Sequence, residues 1–372
     1  MNKLVFDFDF IIFEAVSIAE ERFITALHKP SGRRLEFPTK TALWGDWRKK
    51  QNGWIGEENT ANENEYYKAE DFEVVECQRP RPFKISGQEG RIDEFGLPRK
   101  GFVDSYSISP WEGAKRVLDK KIKDICEKLG TNDYYGFTGR GKTFREDIAT
   151  ILEYKGNRKD VLRPLLLDRM KDYVCKRHNC TMVKGIESDD AVAIETLKGY
   201  ENWKKNGKKD DDKVICIQED KDGKQTSGWR YNPNKDDVPY LIEGFGKLFL
   251  DDKGKVDGGG RIWLLHQVLS GDSSDNYSAN SATEKSWGEK ASYKLLKDCK
   301  NDKEAFEAVI KGYKTLYPEP KTIIGWQGEE IVIDWFYVLQ ENFSLARMLK
   351  YENEPLIDLK DVFAKLGVKY DK

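Results

Sequence analysis

Three short apolar runs in this chain each end in carboxylates, and that repeat restricts the fold more than any other feature. KLVFDF carries Asp7; TMVKG runs into IESDD with Glu187, Asp189 and Asp190; KVICIQ runs into EDKD with Asp220 and Asp222. Runs of this length, alternating with helix-like stretches, predict buried strands of a mostly parallel central sheet in an α/β fold, with helices on both faces. Ligands of such sheets gather at the carboxyl ends of the strands. The acids would therefore share one rim, joined by Asp272 and Asp275 of LSGDSSDN after the helical run RIWLLHQV. Asp9, two residues beyond Asp7, is a further candidate.

Each group has an ordinary explanation when taken alone. Acids favour the first turn of a helix, where free N–H groups and the macrodipole stabilise them. DKDG and GDSSDN also read as turns, and Asp7 as a lone buried acid. On one rim, however, the carboxylates would repel one another too strongly without cations, and hard divalent ions such as Mg2+ or Mn2+ take oxygen ligands. The expected metal-binding set is Asp7, Glu187, Asp189, Asp190, Asp220, Asp222, Asp275 and Asp272.

Bases flank these acids. TGRGKTFRED supplies Arg140, Lys142 and Arg145, YKGNRKDVLRP supplies Lys155, Arg158, Lys159 and Arg163 around Tyr154, and WGEKASYKLLK supplies Lys290, Lys294 and Lys297. The formal net charge of the 372 residues is only -2, but acids committed to metal would leave the remaining surface more basic than that total. No apolar run approaches the length of a membrane span, and MNKLVFDFDF has acids where a signal peptide needs an apolar centre, so a soluble, cytoplasmic protein is expected. The six cysteines are scattered without a CxxC pair, as reduced thiols would be. CKRHNC lacks the fourth ligand and the spacing of a zinc site.

Between these groups the expected helices are IIFEAVSIAEERFITAL, WEGAKRVLDKKIKDICEKLG with Leu118, Ile122, Ile125 and Leu129 at helical spacing, and LLLDRMKDYVCK; YYGFT is a further strand. Residues from about 29 to 101 are polar with little periodicity and read as an insertion. Within it, Trp44, Trp47 and Trp54 lie near Arg48, Lys49 and Lys50, a combination suited either to stacking on bases or to a small packed flap.

Taken in order, LVFDFD, FTGRGKTFR, YKGNRK, GIESDD, IQEDKD, LSGDSSDN and SWGEKASYKLL resemble the structure-specific 5′ nucleases, the family of flap endonucleases and bacteriophage 5′→3′ exonucleases. The resemblance implies a PIN-like 5′ nuclease core over residues 1–270, with the insertion at about 29–101 and a basic arch-like segment at about 139–178. It implies a helical region over 271–372 whose helix-hairpin-helix-like element grips duplex DNA. The matched acids would hold two divalent ions. Lys155, Arg158 and Arg145 would hold and polarise the scissile phosphate, while Arg140, Lys142, Lys159, Lys290 and Lys294 would bind DNA. The implied activity is divalent-metal-dependent 5′→3′ exonuclease or structure-specific 5′ nuclease action on double-stranded or branched DNA, by two-metal hydrolysis. Its setting would be phage DNA replication or recombination in the bacterial host cytoplasm. The alternatives are an RNA or RNA–DNA hybrid nuclease with an RNase H-like role, and a non-cleaving branched-DNA-binding protein. The family's pattern has a further ligand aspartate near Gly139, so one cation here would be held by fewer oxygens and bind more weakly.

Overall fold

Leu4, Val5 and Phe6 are entirely buried, as the middle strand of a parallel sheet requires, and they form β1 (Lys3–Asp7). The computed structural model describes residues 2–46, 51–53, 69–85 and 106–370; Trp47, Trp54, Arg48, Lys49 and Lys50 lie outside the described residues. The chain forms two compact units, one of Met1–Phe10, Asp124–Val161 and Tyr173–Lys372, the other of Ile11–Lys123 and Leu162–Asp172.

α1 (Phe8–Ser17) follows β1 at once, but the helix expected to continue through EERFITAL ends there. Those residues are β2 (Glu20–His28), paired antiparallel with β3 (Arg33–Phe37) and β6 (Phe72–Pro80). Ile24 and Ala26 point to one face of this strand and pack with Leu43 and Phe72, so a period of two with partners from distant sequence overrides the local helical reading. Between these strands lie α2 (Lys40–Trp44), N-capped by the Thr39 hydroxyl, and the short pair β4 (Gly45–Asp46) and β5 (Gln51–Asn52). A second short pair is β7 (Phe83–Ile85) with β8 (Tyr106–Ile108). α3 (Pro110–Leu129) buries Leu118, Ile122 and Ile125 of the expected stripe, together with Ala114, while Leu129 at its end is only half-buried.

The first unit continues with β9 (Tyr134–Thr143), α4 (Phe144–Ile148), the end of α5 (Leu167–Arg177), β10 (Cys180–Gly185), α6 (Ser188–Lys205), β11 (Val214–Ile217), β12 (Gly228–Tyr231) and β13 (Tyr240–Ile242). Its central sheet has the order β10-β9-β1-β11-β12-β13, parallel throughout except at β13. The chain is thus a mixed α/β protein with a mostly parallel central sheet. β1, β10 and β11 end at the same edge, which brings Asp7, the start of α6 and the residues after Ile217 together.

Behind that edge come the hairpin β14 (Lys247–Leu250) and β15 (Val256–Gly259), then α7 (Arg261–Ser270), α8 (Glu289–Leu296) and α9 (Asp302–Leu316). The hairpin β16 (Lys321–Ile324) and β17 (Glu330–Ile333), α10 (Trp335–Ala346) and α11 (Leu359–Leu366) complete the unit. One apolar cluster joins Val268 and Leu269 of α7, Val309 and Tyr313 of α9, Leu339 of α10 and Phe363 of α11. Among the described residues no helix is long and apolar enough to cross a membrane.

A buried polar chain crosses this cluster. The Tyr313 hydroxyl donates to the Val268 carbonyl at 2.7 Å and accepts from the Asn342 amide at 2.9 Å. Tyr313→Phe would strand both groups without water, and we expect it to cost about 1–3 kcal/mol in chemical denaturation; a change within error would show that the two groups find other partners.

Candidate metal and phosphodiester site

Asp9, not Asp7, ties the strand ends together. One oxygen of its carboxylate accepts from the Thr138 hydroxyl on β9, the other from the Gly139 N–H at 3.1 Å and the Ser188 hydroxyl on α6 at 2.9 Å. The Asp9 N–H in turn donates to Asp7 at 3.0 Å. A Cβ on Gly139 would lie 3.6 Å from that second Asp9 oxygen and 3.4 Å from the Ser188 nitrogen. The space a side chain at 139 would enter is thus already faced by the carboxylate of Asp9.

The remaining acids follow from three loops. After β10, the Glu187 N–H donates to Asp190 at 3.1 Å across the first turn of α6, which leaves Asp189 beside the Gln218 amide. After β11, Asp220 is exposed and accepts from the Asp222 N–H at 2.9 Å, while buried Asp222 accepts from the Gln267 amide of α7. After α7, Gly271 has φ 79°, and a Cβ there would lie 2.6 Å from Ser278 Cα. Only glycine fits that turn, which the Asp272–Tyr277 bridge closes with Asp272 and Asp275 both buried.

YKGNR docks on this last loop. The Lys155 N–H donates to the Asp275 carbonyl at 3.0 Å, Asn157 to the Ser273 carbonyl, and Arg158 to the Ser274 carbonyl at 2.9 Å. Lys155 Nζ lies 2.5 Å from Glu187 Oε1 and 3.6 Å from Asp275 Oδ1, and Arg158 reaches Asp275 at 3.1 Å. The buried Tyr154 hydroxyl lies 2.9 Å from Asp275 and 3.2 Å from Glu187, bridging acids from two loops.

Electrostatics mark these acids as one group. Burial, then the charges of Asp9 and Asp220, push the Asp7 carboxyl up to about 7. Burial, then Asp7, Asp220 and Glu187, raise Asp189 as well; burial, then Asp220, Asp275 and Asp272, raise Asp222. Asp275 is raised by burial despite Lys155. Asp272 differs: burial opposes its charge, but Ser274 and Lys221, 2.9 Å away, hold it below the usual range. Burial also opposes the charge on Lys155, yet Glu187 and Asp275 keep it firmly protonated.

Among the described residues no three carboxylate, imidazole or thiol groups are gathered closely enough to cage a cation, so the rim is open. Its chemistry nevertheless fits hard divalent ions: the donors are oxygens, partly desolvated and mutually repelling. The Gln267 carbonyl oxygen, on the amide that donates to Asp222, is also buried with no donor among the described residues. The thiols of Cys175 on α5 and Cys180 at the start of β10 lie 3.7 Å apart, but His178 turns to the Tyr134 hydroxyl at 2.8 Å.

Two expected roles do not match where the side chains lie. Arg145, expected at the scissile phosphate, is fully buried; its guanidinium donates to both oxygens of Asp190 at 2.6 and 2.8 Å and to the carbonyls of Leu345 and Arg347 at 2.8 Å each. Asp190, expected to hold metal, is equally buried and also accepts from the Leu349 N–H at 3.1 Å. Together they are an internal ion pair, because a guanidinium and a carboxylate in this geometry satisfy each other more fully than either could an outside ligand. Of the other expected bases, Lys142 pairs with Asp147, Lys159 pairs with Glu153, Arg140 lies on β9, and Lys290 and Lys294 are exposed on α8.

Gln218, Lys221 and Gln267, which contact the acids, carry no cluster signal in the sequence because they are neutral or oppositely charged, and Tyr154 stood out only as the centre of a basic segment. The available hints were position alone: Tyr154 precedes Lys155, Lys221 sits between Asp220 and Asp222, and Gln267 interrupts an apolar helix.

No family model and no curated protein matches the chain. It is similar to solved structures of a 5′-exonuclease from T5. One with zinc bound is 17% identical, over 61% of this chain and 79% of that chain, with a TM-score of 0.38. A complex of the bacteriophage T5 flap endonuclease with DNA and metal ions is 15% identical over 62% and 79%, with a TM-score of 0.37.

The buried pair generates a direct test. Arg145→Met leaves Asp190 charged and unpaired, and we expect a loss of about 3–5 kcal/mol in chemical denaturation. A normal denaturation curve would instead show that Asp190 does not depend on Arg145 for its place in the fold.

Proposed function

We propose that the chain is a divalent-metal-dependent 5′ nuclease that hydrolyses DNA phosphodiester bonds from 5′ ends or at branched junctions. The observation that carries this reading is the single group of partly desolvated acids at the strand ends, edged by Lys155 and Arg158. Asp7, Glu187, Asp189, Asp220, Asp222 and Asp275 would hold the ions, with Asp272 oriented by Lys221. When bound, two divalent ions supply an activated water and stabilise charge on the departing 3′ oxygen. Lys155 and Arg158 draw the scissile phosphate to the rim and offset its growing negative charge. Tyr154 fixes Asp275 and Glu187 in one orientation, and Gln218 does the same for Asp189. The exposed Lys290 and Lys294 contact duplex backbone away from the reacting bond. Product ladders from 5′-labelled duplex, flap and RNA–DNA substrates distinguish exonuclease, flap and hybrid preferences.

Like-charge repulsion at the rim means that Mg2+ or Mn2+ should raise the melting temperature, and Asp189→Asn should shrink that rise. Excess chelator should abolish cleavage; full activity in its presence would overturn the metal-dependent reading.

Lys155 and Lys294 separate chemistry from binding. Lys155→Ala should lower the single-turnover rate even with saturating DNA. Lys294→Ala should leave that rate unchanged, weaken affinity and reduce the salt slope by about one, as loss of one phosphate contact does. Identical defects in both variants would refute this division of roles.

A further inference from the structure

The loop that delivers Tyr154 and Lys155 belongs to no helix or strand, so its backbone groups need partners from elsewhere. Those of Ala149, Thr150 and Ile151 find them near the far end of the chain. On α10, the Glu341 carboxylate accepts from the Thr150 N–H at 3.1 Å and the Thr150 hydroxyl with one oxygen, and from the Ile151 N–H at 3.1 Å with the other. The Tyr337 hydroxyl lies 2.8 Å from that same threonine hydroxyl. At the turn of the β16–β17 hairpin, Trp326 donates its indole N–H to the Ala149 carbonyl at 2.7 Å and its backbone N–H to the Thr150 carbonyl at 3.1 Å. Gly325 is held so close that a Cβ there would come 2.8 Å from the Thr150 oxygen.

Just beyond this clamp the chain meets its second anchorage, where Asn276 donates to the Glu153 carbonyl at 2.9 Å and the Asp275 carbonyl accepts the Lys155 N–H. Lys155 itself has φ 56°, a backbone state that lysine does not choose unaided. The strap from Ala149 to Arg158 is therefore held at both ends, and its midpoint presents Tyr154 and Lys155 to the acids.

We propose that Glu341, supported by Trp326, is a positioning residue that sets the place of Lys155 at the reacting phosphate, although it touches neither substrate nor the acidic rim. The proposal rests on the nuclease reading above. A carboxylate suits the task because its two oxygens take two successive backbone N–H groups, whereas an amide offers one oxygen and a nitrogen that cannot accept.

The test is a double-mutant cycle on the whole protein, combined with hydrogen–deuterium exchange. Glu341→Ala should lower the single-turnover rate at saturating DNA by roughly ten- to hundred-fold, the scale of a catalytic group displaced by about 1 Å, with DNA affinity unchanged. Glu341→Gln should fall between the two. In a Lys155→Ala background, Glu341→Ala should cost much less than in the wild type, because the main side chain it positions is already absent and only the displacement of Tyr154 and Arg158 remains. Exchange at amides 150–158 should rise in Glu341→Ala and in Trp326→Phe, while α7 and α9 stay protected. Additive losses of rate would reduce Glu341 to a general structural residue. Unchanged exchange at 150–158 in a folded Glu341→Ala protein would overturn the clamp whether or not any substrate is cut. Absence of cleavage by the wild type would count against the nuclease reading alone, since the exchange data would still decide the clamp.

Discussion

The ion pair between Arg145 and Asp190 is the constraint on which the rest of the site depends. Arg145 stands on α4 just after β9, Asp190 in the first turn of α6, and both bind the backbone of residues 345–349, at the end of α10 and just past it. Three segments that are remote in sequence are thus fixed by one guanidinium and one carboxylate. Such a pair adds little net stability over a well-packed apolar equivalent, but its loss is costly once it exists, because the survivor is left as an uncompensated buried charge. Its directional hydrogen bonds therefore select one arrangement of α6. That arrangement leaves Asp189 free to turn to the rim while its neighbour Asp190 faces inward.

Adjacent acids in one helix turn thus do opposite things, and this explains why the sequence was only partly readable. The parallel sheet was legible because its central strands are apolar and are followed by crossovers, as KLVFD and VICI are; CTMVKG pairs at the edge of the sheet, where none of its residues is buried. The gathering of Asp7, Asp189 and the acids after Ile217 at one edge was legible because parallel strands bring their carboxyl ends together. The division between Asp189 and Asp190 was not legible, since both are first-turn acids and only the position of Arg145, 45 residues away, separates them. EERFITAL was misread for a similar reason: its helical or extended character is decided by Leu43 and Phe72, which local periodicity does not include.

At Gly139 the residue type gives only part of the local picture. The glycine carries no carboxylate, while the Asp9 carboxylate, from the β1–α1 junction, lies beside that position and accepts its N–H. Oxygen donors can be supplied from either of two neighbouring strands, because parallel strands bring their ends to the same edge. The number of carboxylates on the rim is accordingly a property of the sheet rather than of any one motif.

The left-handed backbone of Lys155 has a consequence for how this chain can change. For a residue with a Cβ that state costs about 1–2 kcal/mol, whereas glycine adopts it without penalty and asparagine with less. Relief of the backbone alone would favour glycine or asparagine at this position, but either would remove the ammonium that lies 2.5 Å from Glu187 and 3.6 Å from Asp275. Leaving those largely buried carboxylates without their counter-ion costs more than the strain relieved, so the fold holds a strained lysine in place through the same charge that the acids require.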